Sequence, residues 1–396
     1  MESSGAGLAD GEGALRFDGG VDGVDVLLKH SRKSFEYPAH VIPPTVDNET
    51  LYKQFLPHRI EGFLSGINVN VMCYGQTGTG KTHTIFGTPG LMECAGRGDF
   101  GISMHRDYGI FPRAVIETYH RVKALGSNYV LTCSALELSM ILGNKCMIDA
   151  SRGKAATQGL LGAEAFGVCL DRSSKPPRMY GMEEVVLDTD EDVLRIFAAI
   201  ATRNTAGTGM NDSSSRSHCF AFLRLYARVD GGDTVRRTRF QFVDLAGSER
   251  LSEASGTTDY RDSTQALTGM ITNYSLTMLS QAIRAYVEQR TRERRKKLKP
   301  KSFSFRAYLF DLVQLLSESM TGAALTAVIV CLSQAPSNAS QTAFALDFGS
   351  SFSRLSVRER LVKPETIASL IKKAQRQKAE AERVLATTTA PKYISM

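Results

Sequence analysis

The 396-residue sequence predicts an α/β fold, a central, mostly parallel mixed sheet with helices packed on both faces. Three observations carry that expectation. Short apolar, β-branched runs such as residues 129–133 and 327–332 alternate with longer helical patterns such as residues 191–201. A glycine-rich stretch, Gly75, Gln76, Thr77, Gly78, Thr79, Gly80, Lys81 and Thr82, follows one such run, residues 69–74, and fits the pattern G-x-x-x-x-G-K-[ST]. A second run, residues 240–244, ends on Asp244, at the edge where open α/β sheets bind their ligands.

The glycine-rich stretch is the most specific of the three because of its context. Residues 69–74 suit a buried parallel strand, and residues 83–86 can continue the loop into a helix. In that setting the N–H groups of residues 76–82 wrap phosphate oxygens, Lys81 neutralises the β- and γ-phosphates, and the Thr82 hydroxyl reaches Mg²⁺. Asp244 offers a carboxylate to the same metal, directly or through water. Gly247 gives the following loop the freedom to swing its N–H toward a γ-phosphate. Glu249 needs a cation, and the serine-rich residues 211–218 supply Arg216. As two solvated charges that pair would contribute only ~0–1 kcal/mol. Its place within two phosphate-sensing stretches favours a functional reading.

Composition bounds the claim. The length and a hydrophobic content of 42% suit one large α/β domain with tails. Seven cysteines are scattered singly, with neither a C-x-x-C nor a Cys/His metal spacing, which points to a reduced compartment and leaves Mg²⁺ as the only metal expected. Residues 1–15 are small and acidic rather than basic then apolar, and no apolar run approaches a membrane span. A soluble, cytoplasmic protein is therefore expected. Charge is concentrated in residues 290–301, where Arg290, Arg292, Arg294, Arg295, Lys296, Lys297, Lys299 and Lys301 stand against one acid, so this window alone accounts for the net +7. Such blocks form solvated loops or engage acidic partners in a salt-dependent way. A nucleic-acid reading ranks lower, because no aromatic residues are interleaved.

The stretches GQTGTGKTHT, N-x-x-S-S-R-S-H and DLAGSER, in this order, resemble the phosphate loop, switch I and switch II of the kinesin motor domain. Residues 52–66 are similar to the family's helix before the phosphate loop, Gly109 to Arg113 to its G-I-I-P-R turn, and residues 344–349 to its closing helix. Asn273, Ser275, Leu276, Leu279 and Ile283 resemble the helix after switch II. The resemblance implies a P-loop NTPase of kinesin type over residues 35–356, between a variable, partly disordered segment 1–34 and a neck-like linker with a short helix over 357–396. It implies ATP with Mg²⁺ as ligands: Ser215 joins Thr82 and Asp244 at the metal, and Ser214 touches the γ-phosphate or the attacking water. It further implies that Gly247 senses the phosphate, Arg216 pairs with Glu249 on closure, and His83 packs near the base. Residues 290–301 fall where the family carries its microtubule-facing loop, so tubulin is the implied partner and the microtubule cytoskeleton the implied location.

Three departures temper this. Nothing before Gly75 supplies the family's R-x-R-P adenine turn, and residues 15–18 and 24–28 are the only strand-like candidates there. Residues 304–311 stand where P-Y-R-D-S-K-L-T is usual and keep only Arg306, and residues 137–144 keep Glu137 of a Y-N-E motif without its tyrosine. The expected activity is a microtubule-stimulated ATPase motor; the alternative is a non-motile, nucleotide-switched tubulin-binding or microtubule-depolymerising protein. A helix is expected over residues 365–385, with a/d positions too weak and too few for a self-sufficient coiled coil. The chain is accordingly expected to be a monomer, and light scattering that gives a concentration-independent dimer would refute this.

Overall fold

A computed structural model describes residues 15–17, 23–28, 31–36, 41–138, 145–147, 169–171, 178–180, 182–205, 217–229, 231–248, 263–308, 310–355 and 360–388. Three antiparallel strands, β1 (Leu15–Phe17), β2 (Gly23–Leu28) and β3 (Ser31–Glu36), precede helices α1 (Asn48–Phe55) and α2 (Pro57–Ser65). β4 (Val69–Tyr74) leads into α3 (Lys81–Ile85), followed by α4 (Leu91–Gly96) and α5 (Ile110–Leu125). β5 (Tyr129–Leu138), β6 (Lys145–Cys146), β7 (Cys169–Asp171), β8 (Arg178–Tyr180) and β9 (Val185–Val186) come before α6 (Asp190–Thr205). The long strands β10 (His218–Val229) and β11 (Thr234–Asp244) form a hairpin, and the 33-residue helix α7 (Ser263–Arg295) follows. α8 (Asp311–Leu315), α9 (Ser317–Thr321), β12 (Leu325–Val330), α10 (Ala339–Ser353), β13 (Glu365–Thr366) and α11 (Ile367–Thr388) complete the order.

The central sheet is mixed, with the order β12-β4-β11-β10-β5-β6. Parallel pairing is confined to β12, β4 and β11, while β11, β10, β5 and β6 pair antiparallel. The reversal follows from the tight turn at Gly231 (φ 63°), which joins β10 and β11 directly; a parallel neighbour would need a crossover. The parallel strands are the ones whose C-terminal ends converge on residues 75–82.

Alternation along the strands divides the core between two faces. Val69, Val71 and Cys73 of β4, with Phe240 and Phe242 of β11, pack on one side among Leu51, Ile60, Phe63, Phe111, Val115 and Phe197. Met72, Tyr74 and Val243 pack on the other among Leu276, Leu279, Ile283, Val313 and Phe348. Helices therefore cover both faces, and α7 and α10 lie together on the second. A smaller cluster, Val26, Phe35, Ala339, Ala343 and Leu346, fixes the β1–β3 sheet to α10, helped by Lys33 Nζ donating to Asp347 Oδ2 at 2.7 Å.

Local signals set the boundaries. Asp47 caps α1 by accepting from the Thr50 N–H at 2.8 Å. The single helix expected over 52–66 is instead two, because Pro57 has no N–H to continue α1 and starts α2 in its place. α2 ends at Gly66 in the left-handed region, φ 109°. The helix after the phosphate loop is short, stopping before Gly87 (φ 114°), where a Cβ would lie 2.5 Å from the Asp107 carbonyl oxygen. The buried Arg113 donates to the carbonyls of Tyr108, His105 and Arg106 at 2.7–3.0 Å and closes the loop before α5.

Phe242 is the hinge of the first core: its ring lies 4.3 Å from Phe240 and 5.3 Å edge-on from Phe111, centroid to centroid. Phe242→Ala is expected to cost about 3–5 kcal/mol, because a cavity opens between sheet and helices. A clear fall in the urea midpoint of unfolding checks this.

Candidate functional site

β4 is buried along its whole length and delivers residues 75–82 to the sheet edge. Gly75 turns the chain at φ 154°, where a Cβ would sit 2.2 Å from the carbonyl oxygen of Cys331, the residue just after β12. Gly78 (φ 80°) and Gly80 (φ 96°) face open space within 4 Å, so the loop forms a cradle whose walls are backbone. The Gln76 carbonyl accepts from Thr79 Oγ1 at 2.8 Å and from Lys81 Nζ at 2.8 Å. Lys81 is only 7% exposed, so its ammonium is held inside the loop. Asn48 Nδ2 donates to the His83 carbonyl at 3.0 Å and ties α1 to this turn, and His83 itself is exposed.

The register of β4 with β11 sets Asp244 beside Cys73, directly under the loop. Thr82 Oγ1 donates to Asp244 Oδ2 at 2.7 Å, joining residues 162 positions apart. Asp244 is 1% exposed. A hydroxyl and a carboxylate in contact beside a backbone cradle are a hard-oxygen donor set of the kind Mg²⁺ takes with nucleotide phosphates. Burial, then the adjoining Cys331 thiol, push the Cys73 thiol up, so the residue beneath the loop stays neutral.

Beyond Asp244 the chain is stitched across the same site. Leu245 N–H donates to the Cys73 carbonyl at 3.3 Å and Ser248 N–H to the Gly75 carbonyl at 3.1 Å, with Gly247 between them. Gln76 Oε1 and Ser248 Oγ are buried oxygens with no hydrogen-bond partner among the described residues, which suits a polar ligand at this edge. Ser214, Ser215, Arg216 and Glu249 lie outside the described residues. The structure thus brings together Gly75 to Thr82, Asp244 and Gly247 from the sequence reading.

Two neighbours escaped that reading. Ser217 Oγ donates to Glu137 Oε1 at 2.7 Å, so the acid retained on β5 anchors the end of the serine-rich stretch. His218, 3% exposed, accepts the Ala246 N–H on Nδ1 at 3.0 Å and meets Ser275 Oγ of α7 through Nε2 at 3.2 Å. Its place at the end of the N-x-x-S-S-R-S-H stretch was the available signal.

The basic window is half helix rather than all loop, since α7 runs through Arg295 before turning at Lys297 (φ 51°). Glu293 accepts from Arg290 Nη1 at 2.7 Å, from Gln289 Nε2 at 2.8 Å and from the Lys301 N–H at 3.0 Å. The Lys301 N–H foremost holds its carboxyl below the usual range. Arg290 also donates to the Lys301 carbonyl and lies over the Tyr286 ring at 4.8 Å, so it clasps the turn. Arg292, Arg294, Arg295, Lys296, Lys297, Lys299 and Lys301 are exposed.

Residues 361–366 dock on the opposite edge of the sheet through main-chain bonds. Val362 N–H donates to the Gly66 carbonyl at 2.8 Å, Leu361 bridges Ile67, and β13 pairs with Thr234 and Val235 of β11. Arg236 spans the junction, donating to the Val362 carbonyl at 3.1 Å and the Ser65 carbonyl at 3.3 Å. A Cβ on Gly66 would lie 2.5 Å from Arg236 Cδ.

Among the described residues no helix is long and apolar enough to cross a membrane. A family model described as the kinesin motor domain matches residues 22–355. The chain is 30% identical over 231 residues to kinesin-like protein KIN-14G of Oryza sativa subsp. japonica, covering 58% of this chain and 29% of that protein. It is 27% identical over 355 residues to kinesin-like protein KIF11-A of Xenopus laevis, covering 88% of this chain and 30% of that one. The chain thus spans less than a third of the length of these two relatives. A solved chain described as a fast kinesin is similar with a TM-score of 0.68 at 21% identity, covering 89% of this chain and 88% of that one. A KIF14 dimer in complex with a microtubule gives a TM-score of 0.66 at 24% identity, covering 89% and 90%.

Lys81→Ala is expected to weaken binding of a nucleoside triphosphate by roughly 10- to 100-fold, the worth of a charge-assisted hydrogen bond or two. Asp244→Asn keeps the shape and removes the charge, so nucleotide affinity should lose its dependence on added Mg²⁺. Calorimetric titration with and without a chelator reads both.

Proposed function

This chain belongs to the kinesin motor domain family, and from that premise we propose that it is an ATP-hydrolysing motor whose turnover is stimulated by microtubules. The observation that carries the reading is the contact of Thr82 with Asp244 beneath the glycine cradle, with Ser248 bonded to Gly75 at its rim. Bound ATP with Mg²⁺ would supply the phosphoanhydride bond that water cleaves and the charge that the site neutralises. Lys81 and the N–H groups of the loop hold the phosphates. Thr82 and Asp244, with Ser215, hold the metal, and Gly247 follows the outermost phosphate. Ser214 orients the attacking water, and Arg216 pairs with Glu249 to shut the site against bulk solvent.

Coupling to a track follows from what the site touches. Ala246, just beyond β11, is joined to α7 through His218, and the exposed cations Arg292 to Lys301 lie at the far end of α7 and in the turn after it. A cluster of this kind recognises an acidic, extended partner such as the tubulin surface, over about one Debye length, ~8 Å at physiological salt. Arg290 is best read as a structural member of the cluster, because Glu293 and Tyr286 already hold it. Residues 357–396 are read as the element that converts nucleotide state into displacement; of these, residues 361–366 dock on β11 and on the end of α2.

Two sequence departures favour the second reading, a non-motile, nucleotide-switched tubulin-binding or depolymerising protein: the missing R-x-R-P turn before Gly75 and the largely apolar residues 304–311. Steady-state ATP turnover with and without polymerised tubulin, at low and moderate salt, separates the two. Strong stimulation that falls with salt and vanishes in Lys81→Ala is the expected result. Tight nucleotide binding without stimulation would instead favour the switch protein.

A further inference from the structure

One buried side chain joins the loop at the nucleotide edge to the long helix α7. His218 starts β10, and its backbone is fixed on both sides: it pairs with Leu138 of β5, and its neighbour Cys219 pairs with both Glu137 and Asp244. The ring projects from this frame between two elements that are not strands. Its Nδ1 lies 3.0 Å from the Ala246 N–H, and its Nε2 lies 3.2 Å from Ser275 Oγ. The Ser275 hydroxyl in turn donates to the Thr272 carbonyl at 2.6 Å.

These contacts admit one assignment of hydrogens. A backbone N–H only donates, so Nδ1 must accept from Ala246 and the ring hydrogen sits on Nε2. Ser275 has spent its single hydrogen on Thr272, so it accepts from Nε2. The chain therefore runs in one direction, from the loop through the imidazole into the first half of α7. Ala246 immediately precedes Gly247, and Ser248 is held on the Gly75 carbonyl of the phosphate loop. A swing of residues 245–248 toward a phosphate that turns the Ala246 N–H either weakens its bond to Nδ1 or carries the ring with it. Either movement alters the bond to Ser275, since a buried donor or acceptor left unmatched is disfavoured.

We propose that His218 is a positioning residue that transmits the state of the 245–248 loop to α7 through Ser275. The inference rests on the nucleotide reading of the site, and deepens it by naming the side chain that carries the signal. Nothing in the transfer requires a change of ring charge. Leu276 and Leu279 pack into the same core as Leu138 and Phe220, so a small change at Ser275 acts on a helix already seated on the sheet.

The test is hydrogen exchange on the full 396-residue chain, comparing ADP with a non-hydrolysable ATP analogue, for peptides covering residues 242–248 and 270–280. His218→Asn places an amide oxygen where Nδ1 stands but does not reach Ser275, and Ser275→Ala removes the other half of the same bond. In the wild type both peptides should respond to the nucleotide. In either variant the 242–248 peptide should still respond, nucleotide affinity should be retained, and the response at 270–280 should be lost. The double variant should lose no more than either single change, because both cut one link. A wild-type response surviving at 270–280 in the variants, or absent from that peptide in the wild type, would overturn the proposal. If His218→Asn fails to fold, Ser275→Ala carries the test alone. Lack of tubulin-stimulated turnover would count against the motor reading and leave this link standing, since exchange is read without a track and without hydrolysis.

Discussion

The parallel register of β4 with β11 is the constraint on which the rest of the molecule depends. It sets Asp244 beside Cys73 and brings the carboxylate within 2.7 Å of Thr82. A carboxylate at 1% exposure is tolerated only with polar partners close by, because burial without them disfavours its charge. The strands therefore cannot slip by one residue. A slip would turn Asp244 to the other face and carry Phe240 and Phe242 out of one core into the other. Chemistry and packing are specified by the same alignment.

From that alignment the two faces acquire different tasks. The face lined by Phe63, Phe111, Phe197 and Phe242 is a dense aromatic core with α2, α5 and α6, and it supplies rigidity behind the loop. The other face carries α7 and α10. Polar contacts run through it from the sheet to α7, and the basic turn sits at the end of the same helix. Stiffness behind the phosphates and a polar connection in front of them suit a site whose small local movements must be felt far away.

The glycine-rich loop and the acid that meets it were legible in the sequence because each needs particular residues for particular atoms: glycines at Gly75, Gly78 and Gly80 for backbone freedom, a lysine, a hydroxyl and Asp244. The apolar runs 69–74 and 240–244 likewise announced buried strands, and the strand-like residues 15–18 and 24–28 fall on β1 and β2. What could not be read was set by partners distant in the chain. Arg290 looked like one more exposed cation until the fold placed Glu293, Tyr286 and the Lys301 backbone around it. Pro57 was visible, yet the single helix expected over residues 52–66 rests on the resemblance and not on the residues, and so misses the break. The N-x-x-S-S-R-S-H stretch marked His218 but not its contacts, because Ala246 and Ser275 meet it only once β11 and α7 are packed beside β10.

The docking of residues 361–366 has a geometrical consequence. Its attachment uses main-chain groups, from Val362 to Gly66 and from Ile367 N–H to the Asp233 carbonyl at 2.7 Å, so almost any side chains could occupy the segment without loosening it. The same bonds fix the first turn of α11, which runs for 22 residues, a length of about 33 Å. A rod of that length magnifies its base: a tilt of about 10° at Ile367 displaces the far end by roughly 6 Å, about one helical pitch. Aim, rather than grip, is what this corner of the sheet controls.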